Sequence, residues 1–113
     1  WQGVFPVVDR GEDGFNGRAP VGCFKANPNG LHDMVGNVWE WTRDSWQPGH
    51  TAHALTPPEA VLPARQGGAQ RVIKGGSYLC SADYCVRARA SSRQGQDEDL
   101  PAVHIGFRTV SAD

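Results

Sequence analysis

Alternation of apolar and polar positions predicts three strands. The segment 38–46 places Trp39 and Trp41 on one face, because side chains two apart on a strand point the same way. A tryptophan pair on one face is typical of core packing. Shorter apolar runs at 71–74 and 105–110 predict two further strands, the second of which closes the chain.

The rest of the sequence predicts turns and loops. Residues 9–20 and 25–30 are rich in Gly, Asn, Asp and Pro, the residue types that form turns. Residues 94–102 indicate a solvated acidic loop. Residues 47–70 read as a long irregular loop, which is uncommon in a compact domain and often functional. With no internal repeat and no long amphipathic pattern, the chain is predicted to be loop-rich.

Composition narrows the function classes. The 113 residues fit one small domain or part of a larger one, and the four tryptophans favour a packed core. A net charge of −1 argues against nucleic-acid binding, which needs a strong basic excess. No apolar run approaches the length of about 18 residues that predicts a membrane span. The opening residues 1–6 resemble the middle of a domain and carry no signal peptide, so part of the domain is expected upstream.

A cysteine pair carries the candidate chemistry. Cys80 and Cys85 follow a turn at 75–77 and lie five apart, a spacing that brings them together only if the chain loops between them. Such a loop makes a disulfide, a redox dithiol or a soft-metal clamp, although buried cysteines are often inert. Zinc would need four ligands, whereas copper(I) suits two sulfurs. Cys23 is isolated and is interpreted as a buried free thiol.

Several segments, in order along the chain, resemble the formylglycine-generating enzyme (sulfatase-modifying factor) family. The matching segments are Gly30-Leu31, Val35–Thr42, Arg71-Val72, Gly75–Tyr78, the Cys80/Cys85 pair, Arg87, Arg89 and Gly106–Arg108. The likeness covers nearly the whole chain except residues 47–70. It implies an α+β, loop-rich, C-type-lectin-like fold. Residues 1–113 would be the C-terminal portion of that domain, with 47–70 as a variable loop and the N-terminal part missing.

The resemblance also implies an activity. Members with the cysteine pair are copper-dependent oxidases that use O2 to convert a cysteine in a C-x-P-x-R motif of sulfatases to Cα-formylglycine. The expected partners are therefore a sulfatase polypeptide and the N-terminal segment of the same domain, with no nucleic acid and no membrane. One alternative is a non-catalytic, lectin-like binding module of the same fold. Another is an iron-dependent sulfoxide synthase relative, which the scattered histidines support poorly.

Carried over residue by residue, the resemblance assigns the site. Cys80 and Cys85 would be the copper(I) ligands, and Ser77 the active-site serine that hydrogen-bonds oxygen or substrate. The expected substrate contacts are Trp39, Tyr84 and Arg87. Without the resemblance, Ser77 is equally well a plain turn serine and Arg87 part of a solvated face.

The family also suggests calcium, which takes six to eight oxygen ligands. One predicted site comprises the carboxylates of Asp33 and Glu40 and the carbonyls of Gly36 and Val38. The family more often has Asn at the position of Asp33.

A second, partial calcium site would use Asp13 and the Phe15 carbonyl, with its other ligands upstream of Trp1.

Ala90 and Thr109 stand where a secretory member has structural cysteines. Because neither position is a cysteine, a prokaryotic type of enzyme in the cytoplasm, without structural disulfides, is expected.

Overall fold

The computed structural model describes residues 1–49, 69–81 and 87–111. The strands are β1 (Gly3–Val4), β2 (Val8–Asp9), β3 (Trp39–Ser45), β4 (Gln70–Lys74), β5 (Gln94–Asp97) and β6 (Ile105–Gly106). Loops and turns join them, so the prediction of a loop-rich fold is confirmed. These ranges contain no α-helix, so the helical part of the α+β expectation is not seen there. It follows that no helix long and apolar enough to cross a membrane occurs among them.

Four strands form the sheet that supports the site, in the order β5-β4-β3-β6. β4 runs antiparallel to both β3 and β5, while β6 runs parallel to β3. The register places Ile73 opposite Trp41 in β3. Val72, which like Ile73 lies in β4, is opposite Gly95 in β5. The two central strands therefore carry the β-branched and aromatic residues that pack well on a pleated surface.

The apolar core of the described residues is small and lies on β3 and β4. Its members are Trp39, Val72 and Ile73, which are 3%, 2% and 1% exposed. Burying a side chain of this size contributes about 1.5–3 kcal/mol relative to leaving it exposed. By contrast, several large apolar side chains remain in solvent. The most exposed of them are Val7, Val21, Val35, Val103, Phe107 and Val110.

The predicted strands are confirmed at 38–46 and 71–74, which correspond to β3 and β4. The third is shorter than predicted, since only the first two residues of 105–110 form β6. The prediction of a loop over 94–102 is wrong at its start, because β5 occupies Gln94–Asp97. This polar strand forms by pairing with β4, a non-local contact that overrides its weak local propensity. Most of 47–70 lies outside the described residues.

A β1–β2 hairpin, which was not predicted from the sequence, lies at residues 3–9. Gly3 pairs with Asp9, and the turn between the strands contains a cis Phe5–Pro6 bond. Gly3 has a φ of 151°, and a Cβ there would lie 2.2 Å from the Val8 carbonyl oxygen. Only glycine fits such a close approach of two backbones. The hairpin brings Trp1 against the segment that carries Cys80.

Candidate active site

A cavity of about 340 Å³ lies between the N-terminal hairpin, the loop over residues 13–24, the turn at 35–37 and the segment 76–80. Its lining residues are Trp1, Gln2, Asp9, Asp13, Phe15, Gly17, Ala19, Phe24, Val35, Gly36, Asn37, Gly76, Ser77, Tyr78, Cys80 and Ala88. This volume falls within the range of about 300–1,000 Å³ that is usual for ligand sites. Ser77 and Cys80, two of the predicted catalytic residues, therefore share one wall of a ligand-sized cavity.

A tight turn places these two residues next to each other. The Cys80 amide donates to the Ser77 carbonyl at 2.9 Å, and the Leu79 amide donates to Ser77 Oγ at 3.2 Å. The Ser77 hydroxyl lies 4.0 Å from Cys80 Sγ. Ser77 is 3% exposed, so its hydroxyl is fixed by its neighbours and does not move freely in solvent. The turn thus presents a sulfur and a buried hydroxyl side by side.

Close backbone contacts surround the described residues next to Cys80. Gly76 is buried with a φ of +77°, and a Cβ there would lie 3.6 Å from the backbone of Arg87 and Ala88. The backbone nitrogen of Trp1 donates to the Cys80 carbonyl at 2.9 Å, which ties the hairpin to the same segment. The looping predicted between Cys80 and Cys85 falls on residues outside those described and stays a prediction. Cys85 and Tyr84 lie outside the described residues.

Asn37 connects three parts of the cavity wall and was not among the predicted site residues. Its carbonyl accepts from the Tyr78 amide at 2.8 Å. Its side-chain amide bonds the backbone of Ala19 twice, with distances of 3.0 and 3.1 Å. The Gly36-Asn37 pair just before a strand signals a turn, but nothing in the sequence names Ala19 as the partner.

Two predicted substrate residues lie away from the described cavity wall. Trp39 is buried in the core, and its amide donates to the His104 carbonyl at 2.8 Å. Arg87 is exposed and hydrogen-bonds the side chain of Gln94, although its neighbour Ala88 lines the cavity. Their roles in substrate binding remain predictions.

Arg108 forms an ion pair with Glu40, one of the two carboxylates proposed for the first calcium site. Both oxygens of Glu40 accept from Arg108, whose Nη2 also donates to the carbonyls of His32 at 3.1 Å and Asp33 at 3.3 Å. The hydrogen bond to Glu40 raises the pKa of Arg108 above its already high ordinary value, while burial opposes the rise. Asp33 Oδ2 accepts from the Gly22 amide at 2.7 Å. Asp33 Oδ1 is buried and has no hydrogen-bond partner within the described part of the chain.

These contacts test whether calcium fits. A buried carboxylate oxygen without a partner is the kind of atom that a cation would satisfy. Asp33 therefore fits the ion, whereas Glu40 would have to exchange Arg108 for it.

The second predicted site is a local turn. Asp13 Oδ1 accepts from the Phe15 amide at 3.0 Å, and the Asp13 amide donates to Gln2 Oε1 at 2.9 Å. Across residues 1–49, 69–81 and 87–111, no three His, Cys, Asp or Glu side chains form a metal-binding group. Backbone carbonyls or residues elsewhere would have to supply most ligands of either calcium site.

Comparison with known proteins agrees with the resemblance. The family model for a sulfatase-modifying factor enzyme 1-like domain matches residues 1–113. The chain is 46% identical over 111 residues to the formylglycine-generating enzyme of Bos taurus, covering 98% of this chain and 29% of the relative. For the enzyme of that name from Thermomonospora curvata, the identity is 46% over 113 residues, covering 98% and 37%.

A third relative carries a different description. It is the inactive C-alpha-formylglycine-generating enzyme 2 of Mus musculus, 38% identical over 115 residues, with 99% of this chain and 32% of the relative covered. The chain thus spans only 29–37% of the length of these three relatives.

Proposed function

Because the chain belongs to the sulfatase-modifying factor enzyme 1-like family, we propose that the complete protein matures sulfatases by converting a substrate cysteine to Cα-formylglycine with copper and O2. One observation carries the proposal: the buried Ser77 hydroxyl and Cys80 Sγ lie 4.0 Å apart on the wall of a cavity. The substrate class is a sulfatase peptide with a C-x-P-x-R motif.

The residues of the chain suit such a peptide. The cavity of about 340 Å³ has room for a cysteine and its neighbours, and Phe15 and Phe24 pack edge to face at 5.8 Å to form an apolar part of its lining. Ser77 offers a hydroxyl that can donate to the substrate or to oxygen. When bound, copper(I) would be held by the soft thiolates of Cys80 and Cys85 and would supply the O2 chemistry.

Electron counting decides when the reaction needs a further reductant. Conversion of the thiol-bearing methylene group of the substrate to an aldehyde, with release of hydrogen sulfide, removes two electrons. If O2 is reduced fully to water, it takes four electrons, and an external reductant such as a thiol supplies the other two; if it is reduced only to hydrogen peroxide, the substrate alone balances the reaction. An activity assay therefore contains a reducing thiol as well as O2.

Copper binding tests the metal site separately from activity. The reduced full-length protein is titrated anaerobically with copper(I), and we expect one ion per chain. Cys80→Ser and Cys85→Ser each abolish tight binding, because one sulfur is a poor chelate for this soft ion. Cys23→Ser is the matched control. The interpretation of Cys23 as buried is wrong, because its side chain is exposed, and Cys23 does not line the cavity. Parent-like affinity in both site variants would show that the ligands are misassigned.

A peptide assay tests the reaction itself. The copper-loaded full-length protein is incubated with O2, a reducing thiol and a C-x-P-x-R peptide, and the aldehyde is detected by mass spectrometry. Ser77→Ala should lower turnover by about 10²–10³-fold if the hydroxyl stabilises developing charge. No aldehyde from the loaded parent would overturn the proposed activity.

The second candidate function is a catalytically silent binding module. The 38% identity to a relative described as inactive supports this alternative, although the relatives that are 46% identical do not carry that description. It predicts that the full-length protein binds the peptide without copper and forms no aldehyde. Saturable peptide binding by both Cys80→Ser and the parent, with no product from either, would support it.

For calcium, we propose that Asp33, Glu40 and the carbonyls of Gly36 and Val38 form one site, with Asp13 and the Phe15 carbonyl contributing to a second. The buried Oδ1 of Asp33, which has no hydrogen-bond partner among the residues that the structure describes, supports the first.

A ligand that binds only the folded state stabilises it, so millimolar calcium should raise the melting temperature of the full-length protein. Asp33→Ala should remove the part of the increase that comes from the first site, whereas the exposed Asp44→Ala should not. A melting temperature unmoved by calcium or chelator would contradict the proposal.

The N-terminal segment of the domain is the proposed second partner. Its support is the exposed apolar surface, including Val21, Val35 and Phe107, together with the greater length of the relatives. Exposed apolar side chains become part of an interaction surface when another segment covers them. Residues 1–113 expressed alone should therefore be weakly stable and inactive. Co-expression with the N-terminal segment should restore stability and activity. A stable, fully active 113-residue protein would refute this.

A further inference from the structure

Asn37 adopts a backbone conformation that few residue types accept. Its φ is 60°, in the left-handed region, and it follows Gly36 with a φ of 80°. Asn visits this region more readily than most residues, because its short polar side chain can bond locally. The chain therefore reverses at Gly36-Asn37, immediately before β3, and both residues face the cavity.

Backbone bonds fasten this turn to the cysteine segment. The Gly36 amide donates to the Gly75 carbonyl, and the Tyr78 amide donates to the Asn37 carbonyl, both at 2.8 Å. These bonds flank Gly76 and Ser77. The start of the turn that presents Cys80 is thus held by the backbone of residues 36 and 37.

The Asn37 side chain fastens the opposite wall. Its Oδ1 accepts from the Ala19 amide at 3.0 Å, and its Nδ2 donates to the Ala19 carbonyl at 3.1 Å. This pairing needs one donor and one acceptor at the end of a short side chain, a combination that aspartate and leucine lack. Ala19 and Gly17 line the cavity with Ser77 and Cys80.

We infer that Asn37 is a positioning residue that sets the distance between the 17–19 wall and the Ser77–Cys80 turn, and so presents Cys80 to the peptide. The catalytic part of this inference rests on the proposed function. Asn37 acts through the Tyr78 and Ala19 backbones.

Two substitutions in the full-length protein separate side chain from backbone. Asn37→Gly keeps access to positive φ but removes both bonds to Ala19. Asn37→Asp keeps the shape and the acceptor but places a carboxylate against the Ala19 carbonyl. Asn27→Asp is the matched control: the Asn27 side chain likewise bonds backbone groups, with its Oδ1 accepting from the amides of Asn29 and Leu31, and Asn27 does not line the cavity.

The first readout is thiol reactivity after reduction, without copper. The rate of Cys80 labelling by a dipyridyl disulfide is divided by that of the exposed Cys23, both followed by peptide mass spectrometry. We expect the ratio to rise about tenfold in Asn37→Gly and Asn37→Asp, because lost hydrogen bonds make opening of the wall more frequent. Asn27→Asp should keep the parent ratio. If the ratio of Cys80 to Cys23 labelling in both Asn37 variants equals that of the parent, the inference is wrong.

A pH series separates positioning from general loosening. The carboxyl group introduced by Asn37→Asp has one donor and one acceptor when protonated, so it can then pair with Ala19 as the amide does. The ratio for Asn37→Asp, normalised to the parent at each pH, should return toward one below about pH 4, whereas that for Asn37→Gly should not. Equal behaviour of the two variants across the series would contradict the role of the paired hydrogen bonds.

Activity on the peptide distinguishes this inference from the proposed function. If the parent is active, both Asn37 variants should show a raised KM together with a lowered kcat. An inactive parent with the expected labelling ratios would refute the oxidase proposal but leave the positioning role intact. An active parent whose variants keep its ratios and kinetics would refute the positioning role alone.

Discussion

Gly95 in β5 lies directly against the indole ring of Trp46, and one added methyl group there tests how tightly this edge of the sheet is packed. A Cβ on Gly95 would lie 2.6 Å from Cγ and 2.7 Å from Cδ1 and Cδ2 of Trp46. Carbon atoms in good contact are about 3.5–4.0 Å apart, so the ring must move by roughly 1 Å. Arg93 also stacks on this ring, with its guanidinium carbon 4.7 Å from the centroid.

The expected cost of Gly95→Ala follows from these contacts. Overpacking of a fitted site costs about 1–3 kcal/mol. Disturbing the arginine–indole contact adds a part of its value of about 0.5–1 kcal/mol. Alanine in a strand recovers about 0.5–1 kcal/mol relative to glycine. We therefore expect the free energy of unfolding to fall by about 1–3 kcal/mol.

A double-mutant cycle isolates the clash. In the Trp46→Ala background the new methyl group has space, so Gly95→Ala should be neutral or slightly stabilising there. The coupling free energy should then be about 1–3 kcal/mol. Urea unfolding of the full-length protein, followed by far-ultraviolet circular dichroism, measures all four proteins without relying on the fluorescence of Trp46.

Gly22→Ala is the control, because its φ of +74° makes alanine strained, while no atom of the described residues would lie within 4 Å of the added Cβ. Its cost should be the same with or without Trp46. If the effects of Gly95→Ala and Trp46→Ala instead add within about 0.5 kcal/mol, the ring does not contact Gly95 as described.

Two further predictions concern the core and the Arg108–Glu40 pair. Ile73→Ala should lower the free energy of unfolding by about 2–5 kcal/mol because Ile73 is 1% exposed. Val7→Ala, at a residue 78% exposed, should change it by less than about 0.5 kcal/mol in the same urea experiment, and equal effects would contradict the assigned core. Glu40 raises the pKa of Arg108, so the stabilisation is fully present below the ordinary arginine pKa and is lost only as pH rises through the raised value. The stability difference between parent and Arg108→Gln should therefore be equal at about pH 7 and about pH 10, and a difference that disappears by the higher pH would refute the pairing. Arg108→Lys should give an intermediate loss, since an ammonium cannot bind both oxygens of Glu40 in the bidentate geometry.

The central strands were predictable because their signal is local. Trp39 and Trp41 alternate with polar residues, and Val72-Ile73 is a β-branched pair, so period and propensity agree. β5 and the β1–β2 hairpin were not predictable in this way. The strand Gln94–Asp97 has a polar sequence and exists through its pairing with β4, a segment more than twenty residues earlier in the chain.

At the candidate site, the residue types could be identified from the amino-acid sequence alone. The cysteine spacing, the Gly-Gly-Ser turn and the motif around Asn37 indicated the family, which the comparisons confirm. The folded structure was needed to show which groups meet: Asn37 with Ala19, 18 residues apart, and Arg108 with Glu40, 68 residues apart. Hydrogen-bond partners so far apart leave no periodic trace in a single sequence, because their pairing depends on how loops fold over the sheet. Local patterns therefore fix strands and turns, whereas the width of the cavity and the partners of its polar groups are set by packing between distant segments.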